Sequence, residues 1–173
     1  MTNKLCDELD QRVRDGVGVY APGTKRVLFT GTPMAIPNWK MHHVVESEGA
    51  AVVGEEACTG IRYFHDLVDE SQTTLDGMIN ALAERYMKIN CACFTPNSAR
   101  IDDIKRYVKE YRADGVIDVN LKFCTLYNVE EYLVEKELKA DGIPILSLET
   151  DYNDEDSAQL RTRVGAFLEI LNS

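Results

Sequence analysis

Four of the five cysteines fall at or just beyond the carboxyl ends of strand-like segments. Cys58 follows Ala51-Val52-Val53-Gly54, Cys91 and Cys93 close the run from Met87 to Cys93, and Cys124 follows the run from Val116 to Phe123. In an open parallel α/β sheet, that edge is where ligands bind. Thiols brought there from distant parts of the chain can meet at one metal centre, because thiolate is the form that ligates metal. Cys91-Ala92-Cys93 on a strand would send both thiols to one face. The same cysteines read equally as small apolar residues, at a turn for Cys58 and in strands for the others. Zinc sites commonly use paired Cys-x-x-Cys knuckles, and no such pair occurs here. Cys6 stands apart, because Leu5, Leu9 and Val13 share its helix face and make it a core or interface residue.

Other groups cluster at the same strand ends. Phe29-Thr30-Gly31-Thr32-Pro33 places a glycine and hydroxyls after the first strand, where backbone can approach a ligand. Gly31 and Thr32 carry that reading, against an ordinary tight turn. Glu55-Glu56-Ala57-Cys58-Thr59-Gly60-Ile61-Arg62 sets a cation, Arg62, near a thiol. Arg100 sits in the first turn of a helix that follows the turn Phe94-Thr95-Pro96-Asn97. The run Asp151 to Asp156 lacks the glycine and terminal glutamate of a calcium loop and reads as a helix-capping acidic loop.

The elements that must position these groups follow from three recurrences of one turn. Glu48-Gly49, Asp114-Gly115 and Asp141-Gly142 each end a helix-like segment and open an apolar run. Helix, glycine and buried strand in repetition mark an α/β fold with a parallel sheet. The pattern predicts strands at Arg26–Thr30, Ala51–Glu55, Lys88–Cys93, Val116–Asn120 and Ile143–Leu148. Helices are expected at Asn3–Asp15, from Pro37 to Ser47, and at Thr74–Tyr86, Ser98–Arg112, Asn128–Ala140 and Asp156–Leu171. Leu75, Met78, Ile79 and Leu82 would face the core from the third of these. The expected architecture is a five-stranded, mostly parallel, doubly wound flavodoxin-like sheet with helices on both faces.

With 173 residues, 45% of them apolar, the chain can bury the core of one domain. Its net charge of −10 would repel a phosphate backbone, which argues against nucleic acid as a partner. No apolar run approaches the roughly 20 residues that span a bilayer. Met1 to Glu8 lacks the apolar centre of a signal peptide, so a cytoplasmic location and no membrane partner are expected.

Several segments occur in one order: Arg26 to Gly31, Glu56-Ala57-Cys58-Thr59-Gly60-Ile61-Arg62, Cys91 to Arg100, Asp114-Gly115-Val116-Ile117 and Lys122-Phe123-Cys124. Gly142-Ile143-Pro144, Asp151-Tyr152, Arg161-Thr162-Arg163 and Phe167-Leu168-Glu169 complete the set. Together they resemble the 2-hydroxyacyl-CoA dehydratase family, that of the D-component of 2-hydroxyglutaryl-CoA dehydratase, which includes benzoyl-CoA reductase subunits and double-cubane proteins. The resemblance covers most of the chain and only the carboxyl-terminal half of a family subunit. It implies that residues 1–173 form a single α/β domain, the second of two, with residues 1–24 as a helix and loop leading into it. It further implies a 4Fe–4S cluster between domains, with Cys124 matching the cluster cysteine of the second domain. Cys58, Cys91 and Cys93 match positions near that cluster, and Gly31, Thr32, Arg62 and Arg100 could line the cluster and thioester cleft.

The implied reaction is a radical elimination of water from a 2-hydroxyacyl-CoA. Its partners would be a first-domain or companion dehydratase subunit and an ATP-dependent iron–sulfur activator. A rival reading is a non-catalytic α/β ligand-binding or subunit-interaction module that has lost the cluster. A third is a zinc module using Cys91, Cys93 and Cys124.

Overall fold

The computed structural model describes residues 2–94 and 96–173. Its strands are β1 (Arg26–Gly31), β2 (Ala51–Glu56), β3 (Gly115–Leu121) and β4 (Ile145–Thr150). Its helices are α1 (Thr2–Arg14), α2 (Lys40–Ser47), α3 (Ile61–Phe64), α4 (Leu75–Met87), α5 (Ser98–Glu110), α6 (Thr125–Ala140) and α7 (Ser157–Asn172). The strands form one parallel sheet in the order β2-β1-β3-β4. Alternate residues of each strand point to opposite faces. Val27, Phe29, Ile117, Val119 and Leu148 pack under α2 and α7, while Leu28 and Val116 pack under α5 and α6. Helices therefore cover both faces, as apolar runs without alternation require. The order reverses between β1 and β3, which puts the crevice of an open α/β sheet at their carboxyl ends.

The sheet has four strands among the described residues, not five. Lys88–Cys93 is not a strand, because its amides and carbonyls are spent locally. Lys88 caps α4, the Cys91 amide donates to Ile89 O at 3.1 Å, and the Phe94 amide donates to Cys91 O at 3.0 Å. Cys91 and Cys93 consequently share no strand face. The turn expected through Phe94, Thr95, Pro96 and Asn97 includes Thr95, which lies outside the described residues.

Other expectations need correction. The second helix begins at Lys40 rather than near Pro37, which follows a cis peptide bond in the preceding turn. Leu75, Met78, Ile79 and Leu82 of α4 are exposed, and of that helix only Ala81 is buried. The helix stands off the sheet, which α3 and α5 cover instead, so its apolar face meets no core. In α1, Cys6, Leu5, Leu9 and Val13 are likewise exposed, which removes the core alternative for Cys6. The acidic loop before α7 takes a lysine ammonium. Lys40 Nζ, nearly buried, donates to Asp151 O and Asn153 O at 2.6 Å and to Asp156 Oδ1 at 2.8 Å.

A candidate polar site under the strand ends

One row of the sheet carries polar side chains where apolar ones are expected. Thr30 pairs in register with Glu56 on one side and Asp118 on the other, and Asp118 pairs with Ser147. Thr30 follows Leu28 by two positions and Asp118 follows Val116 by two, so all of them face α5 and α6. A register shift at Val27/Leu28 decides which glutamate joins the row. Gly54 stands opposite Leu28 and skips Val53, which brings Glu56 rather than Glu55 against Thr30. Gly54 fits there because a Cβ would press on Ile61 and Leu28 at 3.1 Å.

Two arginines roof this row. Arg62 from α3 donates through Nε to Glu56 Oε1, and through Nη1 to the Tyr127 hydroxyl at 2.9 Å. Arg100 from α5 donates to Glu56 Oε2 at 3.3 Å, to Thr30 Oγ1 at 2.8 Å and to Glu130 Oε2 at 2.7 Å. Thr30 in turn donates to Glu56 Oε2 at 2.5 Å. Glu56, Arg62 and Arg100 are 0%, 6% and 1% exposed, so the ions are removed from water and held by one another. Burial works against the Arg62 charge, but the Glu56 carboxylate and the Tyr127 hydroxyl outweigh it and keep the guanidinium protonated. Burial lifts the Tyr127 hydroxyl above its ordinary range despite the nearby arginine charges. Asn97 extends the network, donating to Glu130 Oε1 at 2.8 Å and to Cys91 O at 3.0 Å. The frame thus ties β1, β2, α3, α5 and α6 to the cysteine loop.

The loop thiols gather beside that frame. Burial pushes the Cys91 thiol up, but the Cys93 backbone N–H, the Cys93 thiol, the Arg62 charge and the Cys58 thiol together bring it below its ordinary value. The Cys93 thiol is raised, first by its hydrogen bond to Cys91. Cys58 shares a pocket wall with Arg62, and the Arg62 charge reaches Cys91. Cys124 is half-buried at the N-cap of α6, on the sheet edge that also bears the Gly31–Thr32 turn. That edge is tied together by Leu121, whose amide donates to Thr32 Oγ1 at 3.3 Å. Among the described residues, no group of three or more His, Cys, Asp or Glu side chains is arranged to hold a metal ion.

Gly31 lies at φ +108°, where a Cβ would stand 2.3 Å from Val119 O and 2.5 Å from Asp118 Oδ1. Gly31→Ala is therefore expected to cost roughly 2–4 kcal/mol from backbone strain and overlap together. A loss under ~1 kcal/mol in urea unfolding would show that the turn relaxes freely.

The comparisons with known proteins bear on this arrangement. The family model for the 2-hydroxyglutaryl-CoA dehydratase D-component matches residues 1–171. The chain belongs to the 2-hydroxyglutaryl-CoA dehydratase D-component family. It is 39% identical over 147 residues, 84% of its length, to a protein of Escherichia coli (strain K12) named as the dehydratase subunit YjiM. It is 30% identical over 148 residues, 85% of its length, to the (R)-phenyllactyl-CoA dehydratase beta subunit of Clostridium sporogenes. It is 25% identical over 187 aligned positions, 97% of its length, to a benzoyl-CoA reductase subunit of Thauera aromatica. The chain spans 37%, 38% and 40% of these three relatives' own lengths. No helix of this family member, among the described residues, is long and apolar enough to cross a membrane.

Of the residues singled out from sequence, Arg62 and Arg100 come together in the ion frame, Cys58 lies beside Arg62 in one pocket wall, and the Cys91 carbonyl is tied to the frame through Asn97. Gly31 and Thr32 are pinned to β3, the Thr32 amide donating to Val119 O at 2.9 Å. Sequence reading missed Glu56, Thr30, Asp118, Tyr127 and Glu130 as members of the site. The available signal was a polar residue at a core-facing position near a strand's end, as with Thr30 two after Leu28 and Asp118 two after Val116.

Proposed function

We propose that this chain is the α/β portion of a dehydratase-type enzyme that eliminates water from a 2-hydroxyacyl-CoA, folded as a flavodoxin-like doubly wound domain. The observation that carries the reading is the family match over residues 1–171. The names of two relatives, a phenyllactyl-CoA dehydratase subunit and a benzoyl-CoA reductase subunit, support an acyl-CoA thioester as substrate class. Both relatives are named as subunits, which supports a companion chain as partner; an ATP-dependent iron–sulfur activator as electron donor is a further part of the proposal.

The donor set of this chain does not by itself fit a resident cluster. A cluster with one open iron needs three cysteine thiolates converging on it, and no such group exists among the described residues. Cys124, half-buried on the carboxyl edge of the sheet, is the thiolate this chain would contribute to a cluster completed by a partner. Arg100 has a positioning role in this reading, because its guanidinium is consumed by Glu56, Thr30 and Glu130. It fixes α5 and the cysteine loop against the sheet. Arg62 does the same for α3.

Anaerobic co-expression with a full-length family subunit, followed by iron analysis and low-temperature electron paramagnetic resonance, tests this. Iron is expected in the assembly, and Cys124→Ala is expected to remove or alter the signal. A cluster signal unchanged by Cys124→Ala rejects the ligand assignment. An assembly without iron favours the non-catalytic interaction module, and no assembly at all counts against the companion-chain reading and leaves only a ligand-binding module.

A further inference from the structure

A second site lies on the outer side of the ion frame. Between α3 and α4 is a pocket of about 290 Å³, with Arg62, Arg85, Cys58, Leu82, Tyr86 and Ile89 among its walls. Its lining holds two arginines and no carboxylate, in a chain whose net charge is −10. Arg62 is 6% exposed, and its Nη2 is buried without a hydrogen-bond partner, while Nε and Nη1 are engaged. A buried guanidinium nitrogen without an acceptor is costly, and an anionic oxygen is its natural complement. Arg85 is held by backbone alone. Its Nε donates to Asp66 O at 3.0 Å and its Nη2 to Tyr63 O at 2.6 Å, and its guanidinium lies 5.4 Å from the Tyr86 ring centre. Those carbonyls orient the charge and leave it unneutralised. Asp66, Asp69 and Glu70 line an adjoining depression that shares Tyr63, Val68 and Arg85 with this pocket, and among the described residues none of them is within ion-pair distance of Arg85.

We infer that this pocket binds a small free carboxylic acid with an apolar body. The arginines would receive the carboxylate, and Leu82, Ile89 and Tyr86 would receive the hydrocarbon. The pocket has the space of roughly ten water molecules, which suits an acid of short to medium length. Phosphate fits less well, since most of the wall is apolar and would leave its remaining oxygens desolvated. The site also explains the exposed α4 residue Leu82, which has no core to join. It needs no metal and does not rest on the cluster reading.

The test uses the full chain at pH 7, with hexanoate, hexan-1-ol and hexylammonium as probes and nuclear magnetic resonance shifts as readout. Hexanoate is expected to bind saturably, with shifts confined to α3 and the second half of α4. Hexanol should bind at least ~10-fold more weakly, and hexylammonium should not bind. Arg85→Gln removes the unneutralised charge, and Leu82→Asp puts a carboxylate into the wall. Each should weaken hexanoate at least ~10-fold. Leu82 is 47% exposed, so its variant reads the pocket even if Arg85→Gln unfolds the α3–α4 segment. Shifts that fail to saturate, equal binding of hexylammonium, or unchanged affinity in Leu82→Asp would overturn the assignment.

Discussion

Replacing Glu56 with glutamine is expected to cost the domain about 3–5 kcal/mol of folding stability. The carboxylate is fully buried and accepts from Thr30, Arg62 and Arg100. Arg100 keeps a second carboxylate, Glu130, when Glu56 is gone. Arg62 keeps only neutral acceptors, the Tyr127 hydroxyl and the glutamine carbonyl, and its buried charge is left without a counter-ion. The loss therefore reflects an abandoned ion more than the intrinsic strength of the pair. Urea unfolding of Glu56→Gln, Arg62→Met and the double variant separates the two effects. The double variant should be markedly more stable than the sum of the single losses predicts, because no unpaired charge remains. A Glu56→Gln loss below ~1 kcal/mol would show that water or another acceptor reaches Arg62. Since small domains have about 5–15 kcal/mol in total, the glutamine variant should unfold well below the wild-type midpoint.

The same frame shows what could be read from sequence. Strands β1, β2, β3 and β4 were visible because each follows a turn signal and is apolar on both faces. Helix α7 was visible because Leu160, Val164, Phe167 and Leu168 fall at helical spacing, and all four are buried. Lys88–Cys93 misled because a short segment with one β-branched residue sits at the right place in the helix–strand alternation. Its actual hydrogen bonds depend on Asn97 and on turn geometry that no periodicity reveals. The α4 face misled differently, since amphipathic spacing shows that a helix has an apolar side but not what covers it. Within the site, Arg62 and Arg100 stood out as cations at strand ends. Glu56 did not, because its placement opposite Thr30 follows from a one-residue bulge at Gly54. A single-residue shift exchanges the two faces of a strand, so Glu55 and Glu56 were indistinguishable without the register.

Asp118 is expected to give the fold a pH dependence opposite in sign to that of its paired surface carboxylates. The side chain is 1% exposed, and burial pushes its carboxyl from 3.8 to about 7, despite the Arg100 charge that pulls it down. Glu131 from α6 and Glu56 from β2 add to the rise, and the Asn120 side chain on its own strand opposes it. Asp118 Oδ1 and Asn120 Oδ1 are both buried without partners, and a neutral acid carries a donor where the carboxylate has none. The folded state therefore binds a proton that the unfolded chain releases near pH 3.8. Its contribution to stability is full below that value and is lost as pH rises to about 7. Over some three pH units at ~1.4 kcal/mol each, the loss amounts to about 4 kcal/mol. Asp151 and Asp156 are held below their ordinary values, by Lys122 for Asp151 and by Lys40 and Thr150 against burial for Asp156, and their contributions run the other way. The informative quantity is thus the stability difference between Asp118→Asn and the wild type, in which those carboxylates cancel. That difference should move in favour of the asparagine variant by several kcal/mol between pH 4 and pH 8, measured by urea unfolding at fixed ionic strength. A flat difference would mean that Asp118 is ionised in the fold, with Arg100 shared between it and Glu56.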